Sequence, residues 1–385
     1  MWFFTSPRLV FGPGAVEFLS SIPTKRALII CDRDLAKRGV PERLVEQLAK
    51  GGGEVKIFAD VEPEPLVDTA QRAAKMATEF GPDCIIGLGG GSAMDVAKAA
   101  YTLYERPDLT VYDITPLVDL GLGKKAKLIQ VPTTSGTGSE TTWATILTEG
   151  PGGRKLELAN RELVAEWAII DSLLPTTMPP RLTADTGADA LCHAVEAISS
   201  DWSNPFSDAY AKEAVASIFR SLPKVVKDGG NAEAREEVHY AASMGGLAFG
   251  NAQVGVGHAL GHSLGSVFKI PHGRSVGIFL PYAIEFNFDA AQEKFRRLSG
   301  VLGEGPVRSG RELSAHVRRL WDAIGMSPSI SSLGTIGQTD FEKAMPELVS
   351  RADQSTCVSM NPRVPSTAEL ERLFRAAWSG ATVDF

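Results

Sequence analysis

The chain has 385 residues, 44% of them hydrophobic and 22% charged, enough to build two packed domains and too apolar for a wholly disordered protein. Its formal net charge of −7 and pI near 5.5 argue against a nucleic-acid partner, because gripping a polyanion needs a basic face. No run reaches the roughly 18–20 apolar residues that span a bilayer, so no membrane partner is expected either.

The N-terminal stretch Met1-Trp2-Phe3-Phe4-Thr5-Ser6-Pro7-Arg8 lacks the charged start and apolar run of a secretory signal. Cys31, Cys84, Cys192 and Cys357 are scattered, with no CxxC pair or disulfide-scaffold spacing. Both features lead us to expect reduced thiols and a cytoplasmic protein.

Residues 3–11 alternate weakly around Pro7 and end in Phe11-Gly12-Pro13-Gly14, the pattern of an edge strand and a turn. Ala27-Leu28-Ile29-Ile30-Cys31 is a short apolar strand, followed by a charged helical stretch to about Lys50. Val55–Ala59 is a second strand, and residues 66–79 carry helical periodicity. Cys84-Ile85-Ile86-Gly87-Leu88 is a third strand, opening through Gly89-Gly90-Gly91-Ser92 into a helix that runs through Ala100. Further strands are expected at 127–131, 143–148 and 167–171. This strand–helix alternation predicts a parallel sheet with right-handed crossovers.

Beyond about residue 180 the strand signals nearly vanish. Helical runs follow at 183–200, 205–227, 232–250, 253–267, 274–286, 289–303, 309–325, 340–351 and 367–379. The proline-rich Leu174-Pro175-Thr176-Thr177-Met178-Pro179-Pro180 reads as the connector. We therefore expect an α/β N-terminal domain over 1–180, with a Rossmann-like parallel sheet, and an all-α C-terminal domain over 181–385.

Gly89-Gly90-Gly91-Ser92 sits between a strand and a helix, where exposed backbone N–H groups and the helix dipole favour a phosphate; a tight turn is the plain alternative. A second loop, Pro132 to Glu140, packs hydroxyls and glycines after another strand. Two such loops in one α/β domain point to a dinucleotide. The usual GxGxxG is absent from the first strand–helix turn. Asp32, ending the first buried strand, either accepts hydrogen bonds from ribose hydroxyls, which would favour NAD over NADP, or simply starts the next helix.

Four of the six histidines cluster in two runs. Asp189 and His193 are four residues apart, as are His258 and His262, so each couple shares a helix face and reads as a chelating pair; His272 follows in Pro271-His272-Gly273. Imidazoles and a carboxylate with an open position suit Fe(II) or Zn(II). Glu196 lies on the same face as Asp189 and His193, either behind a ligand or in solvent. His239 and His316 have no ligand-type neighbours and read as structural.

These residues resemble the iron-containing (group III) alcohol dehydrogenases over nearly the whole chain. The motifs are Gly89-Gly90-Gly91-Ser92 with Asp95 and Lys98, Pro132 to Glu140, Thr186 to Glu196, and His258 to His262 with Pro271-His272-Gly273. The resemblance implies a dehydroquinate synthase-like fold, with a dinucleotide-binding α/β domain and a helical metal-binding domain. It implies that Asp189, His193, His258 and His272 bind the metal, Fe(II) or alternatively Zn(II), and that His262 lies beside the nicotinamide and helps move the proton. It points to Asp32, Gly90, Gly91, Ser92, Thr133, Thr134, Thr137, Thr142 and Lys155 as contacts of NAD, with NADP the lesser alternative. Relatives commonly form dimers or larger homo-oligomers. Cys192 stands where many members carry Thr or another small residue, and Glu64 stands near where some relatives carry an Asn close to the adenosine. Asn361-Pro362-Arg363 is a family signature, and the segment before it is spaced slightly differently.

The expected activity is hydride transfer between small primary alcohols, or related hydroxy compounds, and aldehydes or ketones. Alternatives are an NAD- and metal-dependent lyase resembling dehydroquinate synthase, a maleylacetate reductase-like enzyme, and a silent nucleotide-binding protein. A lyase acting on a phosphate-bearing substrate would need more cations near the ligand runs than Lys269 and Arg274. Trp143, Phe249 and Phe268 line either a cleft or the core.

Overall fold

The structure is a computed structural model that describes residues 3–150, 153–303 and 305–385. It divides into two compact units, one of Thr5–Thr177 and one holding Met178–Phe385 with the residues around Phe4.

The first unit runs through β1 (Arg8–Phe11), β2 (Arg26–Asp32), α1 (Arg33–Lys37), α2 (Val40–Lys50), β3 (Glu54–Val61), α3 (Val67–Phe80), β4 (Cys84–Gly89), α4 (Gly91–Glu105), β5 (Lys127–Pro132), β6 (Ala144–Thr148), β7 (Lys155–Ala159) and β8 (Trp167–Ile170). Six strands form one sheet in the order β1-β8-β5-β4-β2-β3, and every neighbouring pair is parallel. β4 is buried at all of its positions. That is why it reads as an unbroken apolar run rather than an alternating one. Apolar residues of β2, β4 and β5 fill cores on both faces of the sheet.

Two local expectations need correction. The helical stretch after Asp32 is two helices, parted at Gly39, whose φ of 69° is the left-handed conformation that glycine adopts without strain. Residues 144–148 do not join the sheet. They pair antiparallel with β7, a strand the chain-order reading passed over, in the register Thr148↔Lys155 to Ala144↔Ala159. The alternation in Lys155-Leu156-Glu157-Leu158-Ala159, with its leucines buried, is the signal that marks it.

The second unit is helical: α5 (Pro180–Ser199), α6 (Pro205–Lys227), α7 (Ala232–Ala252), α8 (Val256–Phe268), α9 (His272–Asn287), α10 (Gln292–Ser299), α11 (Gly310–Ile324), α12 (Gln338–Asp353) and α13 (Thr367–Ser379). One core is shared by α5, α6, α7, α9 and α11, and a second by α8, α9, α12 and α13. α8 starts at Val256 rather than residue 253, because Gln253 takes a φ of 68° that breaks the helical path. α8 and α9 cross closely at Gly261, where a Cβ would lie 2.7 Å from Val276 Cα. This crossing fixes the helix carrying His258 and His262 against the one that begins at His272.

Candidate functional site

In the α/β unit the carboxyl ends of β2, β4 and β5 lie side by side, with Ile30 opposite Gly87 and Gly89 opposite Pro132. Open α/β sheets bind ligands at this edge. Asp32 stands at the end of β2, where its Oδ1 accepts from the backbone N–H groups of Asp34 and Leu35, both at 2.9 Å. Its other oxygen faces the glycine turn, about where a Gly89 Cβ would be 3.8 Å away. Both roles raised for Asp32 thus fit one carboxylate.

Gly90 is the N-cap of α4 and makes no side-chain cap hydrogen bond, so the first N–H groups of a 15-residue helix face outward at Gly91 and Ser92. The second loop folds against this turn. A Cβ on Gly90 would lie 3.3 Å from Thr134 Oγ1 and one on Gly91 3.1 Å from Thr137 Cγ2, while Thr133 donates its N–H to the Gly89 carbonyl at 2.9 Å. Thr133, Thr134 and Thr137 therefore share one rim with the glycines.

Lys98 holds that loop in place. Fully buried, it donates to the Ser139 carbonyl at 2.7 Å and the Ala144 carbonyl at 2.8 Å, and lies 3.2 Å from Thr142 Oγ1. Asp95 accepts from Ser139 Oγ at 2.8 Å and from the Ile146 N–H at 3.0 Å. Burial pulls the Lys98 ammonium down to about 8, with Asp95 and Glu140 opposing the fall. Thr142 is buried within this network, and Lys155 pairs with Glu64 at 3.3 Å.

In the helical unit, Asp189 and His193 lie one turn apart on α5, His258 is in the first turn of α8, and His272 opens α9. The Nε2 atoms of all three histidines face one oxygen, Asp189 Oδ1, at 3.7 Å for His193, 3.8 Å for His258 and 3.2 Å for His272. One ligand atom from each residue lies within 4.8 Å of the others. Tetrahedral ligands at about 2.1 Å from a metal stand about 3.4 Å apart, so the set needs only slight contraction around a divalent transition ion. Burial alone would raise the Asp189 carboxyl, but the charges of His193, His272 and His258 outweigh it and hold the group well below the usual carboxylate range. The donor chemistry and spacing both fit such a metal. Asp189, His193 and His258 are at most 4% exposed, whereas the His272 side chain is 34% exposed.

Spacing alone paired His258 with His262, and here the structure departs from it. The His262 ring stands edge-on to His258 with centroids 5.8 Å apart, and it tilts over His272 at 5.1 Å. His272 completes the cluster of candidate ligands, and His262 borders it. Glu196 is not in solvent: 2% exposed, it receives the His258 Nδ1 contact on Oε2 and the Gly257 N–H at 2.7 Å on Oε1. A carboxylate behind a ligating imidazole fixes its tautomer and aims the other nitrogen.

Asn361 was recognised only as part of a signature. Its Oδ1 accepts from the Val256 N–H at 3.0 Å, which ties it to the start of α8. Phe249 stacks on His193 with centroids 4.2 Å apart, whereas Phe268 packs against the core around α8 and α9. His239 and His316 lie outside the ligand set.

Comparison with known proteins points to one family. The family model "Iron-containing alcohol dehydrogenase" matches residues 6–172, and "Fe-containing alcohol dehydrogenase family, C-terminal" matches 183–378. The chain is 36% identical over 391 residues to an NADPH-dependent butanol dehydrogenase of Clostridium saccharobutylicum, covering 99% of both chains. It is 34% identical over 405 residues to aldehyde-alcohol dehydrogenase 2 of Entamoeba histolytica, where it spans 98% of itself but only 46% of that longer protein. The structure of an iron-containing alcohol dehydrogenase from Thermococcus thioreducens superposes with a TM-score of 0.90 at 31% identity, over 99% of this chain and 100% of that one. With both halves matched and the four ligand side chains drawn together, the chain belongs to the iron-containing alcohol dehydrogenase family.

Proposed function

We propose that this chain interconverts small primary alcohols and their aldehydes or ketones, using NAD and a divalent metal. The observation that carries the reading is the convergence of His193, His258 and His272 on Asp189 Oδ1, with His262 alongside. Asp189, His193, His258 and His272 would hold Fe(II), or alternatively Zn(II). When bound, the metal supplies Lewis acidity toward the alcohol oxygen and the nicotinamide supplies the hydride acceptor.

The chain's own residues orient the alcohol and handle its proton. The exposed edge of the ligand set at His272 is where an alcohol can approach, and His262 stands beside that edge to take the hydroxyl proton. An imidazole can both accept and pass on a proton, which suits that relay. Domain roles follow the same division, with dinucleotide binding in residues 1–180 and metal binding in 181–385. Gly90, Gly91 and Ser92 would face the pyrophosphate, with Thr133, Thr134 and Thr137 beside them. Thr142 and Lys155 are kept as cofactor contacts; Thr142 lies 3.2 Å from Lys98 Nζ, and Lys155 pairs with Glu64.

Although the Clostridium relative is named for NADPH, the Asp32 carboxylate would repel a 2′-phosphate, so we assign NAD to this chain. A homo-oligomer in the cytoplasm fits the family and the four cysteines, which are buried and form no disulfide. The lyase reading is disfavoured, because Arg274, one of its two cations, already lies 2.7 Å from Asp185 as an ion pair.

The test is anaerobic purification with elemental analysis, then NADH formation on a panel of alcohols with and without Fe(II) or Zn(II). Metal-dependent turnover supports the dehydrogenase. Bound metal and bound NAD with no alcohol oxidised would sink it.

A further inference from the structure

We propose that Glu196 and Asn361 form a two-sided clamp on the first turn of α8 and thereby set how tightly the chain holds its metal, although neither is one of the four ligands. The proposal rests on the ligand assignment above and concerns residues to which that assignment gives no part.

The first N–H groups of a helix have no partner within the helix. α8 begins after Gly255, which makes no side-chain cap hydrogen bond, so its leading donors need acceptors from elsewhere in the chain. Two distant side chains provide them. Asn361 Oδ1 takes the Val256 N–H at 3.0 Å, and Glu196 Oε1 takes the Gly257 N–H at 2.7 Å. Both approach closely enough that a side chain beneath them would displace them: a Cβ on Gly255 would lie 2.6 Å from Asn361 Oδ1, and one on Gly257 2.8 Å from Glu196 Oε1. The negative charge of Glu196 also suits the positive end of the helix.

The next residue along α8 is His258. Glu196 Oε2 receives its Nδ1, which keeps the ring hydrogen on that side and turns the Nε2 lone pair toward Asp189. One carboxylate thus fixes the backbone before the ligand and the ring of the ligand itself.

Asn361 is anchored in turn. It exchanges two hydrogen bonds with Asn287, at 2.7 Å and 2.9 Å, and donates to the Arg363 carbonyl at 2.6 Å. Asn287 is the last residue of α9, the helix that His272 begins. The clamp therefore links the three ligand-bearing helices: α5 through Glu196, α8 through its first turn, and α9 through Asn287. A purely structural role would cost folding stability and leave affinity for the ion untouched. A positioning role moves that affinity directly.

The experiment loads the full chain with Co(II), whose visible absorption reports ligand geometry, and measures its dissociation constant by chelator competition. The thermal midpoint of the metal-free chain is recorded alongside. Glu196→Gln keeps the shape but leaves one acceptor oxygen for two donors. It should weaken Co(II) binding about 10–100-fold and alter the absorption band. Asn361→Ala should weaken binding by roughly tenfold, within the same range, and Asn361→Asp, which retains an acceptor for Val256, should lose less. Unchanged dissociation constants in Glu196→Gln and Asn361→Ala, whatever happens to the melting temperature, would overturn the clamp. If Glu196→Gln does not fold, the comparison of Asn361→Ala with Asn361→Asp decides. A wild-type chain that binds no Co(II) would overturn the ligand assignment as well, whereas tight wild-type binding with unaffected variants would remove only the clamp.

Discussion

Nε2 of His272 stands 3.2 Å from Oδ1 of Asp189, nearer than Nε2 of His193 or His258, yet of the four candidate ligands His272 is the one with substantial exposure. It is both integral to the set and its outer edge. His272→Ala should therefore lose bound metal, while His262→Ala should keep the metal and lose most of the activity, a general acid–base contribution being worth about 10²–10⁴-fold. Metal content by elemental analysis, beside NADH formation, separates the two. Equal metal content in both variants would contradict the roles assigned here.

Asp32 caps α1 with one oxygen and faces the glycine turn with the other. Asp32→Ser preserves a capping oxygen while removing the charge. kcat/KM with NADP should rise by about tenfold or more, which corresponds to about 1.4 kcal/mol of relieved repulsion, with little change in melting temperature. No gain with NADP would mean that the carboxylate does not face the adenosine ribose.

Lys98 joins α4 to the loop after β5 through the Ser139 and Ala144 carbonyls. Replacing it with Met leaves those buried carbonyls without their donor, at about 1–3 kcal/mol for each unsatisfied acceptor, and takes a cation from near Asp95. Lys98→Met should melt earlier and bind NADH more weakly, because the threonine rim loses its support. Fluorescence titration with NADH checks the second effect. Normal NADH affinity in a destabilised variant would limit Lys98 to folding.

His239 lies buried on α7, and burial, aided by Arg235, pushes its imidazole down to about 3. Its ordinary value is near 6.5, so between those limits the unfolded chain binds the extra proton. Its contribution to stability is therefore complete above about pH 6.5 and is lost as pH falls toward 3. At about 1.4 kcal/mol per pH unit, His239 accounts for roughly 2 kcal/mol of the stability lost between pH 7 and pH 5. His239→Gln should lose that much less over the same interval in denaturant titrations. An identical loss in both proteins would mean that His239 is not held neutral.

The clustered candidate ligands were readable in the sequence because three of the four stand in two short helical runs, where spacing of four places side chains on one face. Spacing of four offered His262 as the mate of His258; that His272 lies with it depends on how α8 crosses α9 at Gly261, a contact no local period encodes, so only the family resemblance pointed to His272. Asn361 was legible only as a signature, because its partner Val256 lies 105 residues away. Glu196 was legible as sharing a face with the ligands, but not as buried, since burial depends on the start of α8 arriving over it. In the α/β unit the apolar runs marked the sheet strands, while β7 hid in a charged segment whose alternation is only five residues long. The joint between α1 and α2 turned on a single glycine inside an otherwise helical stretch.

Three of the four candidate ligands are buried, and the His272 side chain is the exposed one. If these residues hold the ion, ion and alcohol would share one doorway. An alcohol seated there would block the path by which the ion leaves, so turnover and retention of the metal would be coupled: a working enzyme would guard its own ion, and an idle one would let it exchange with the surroundings.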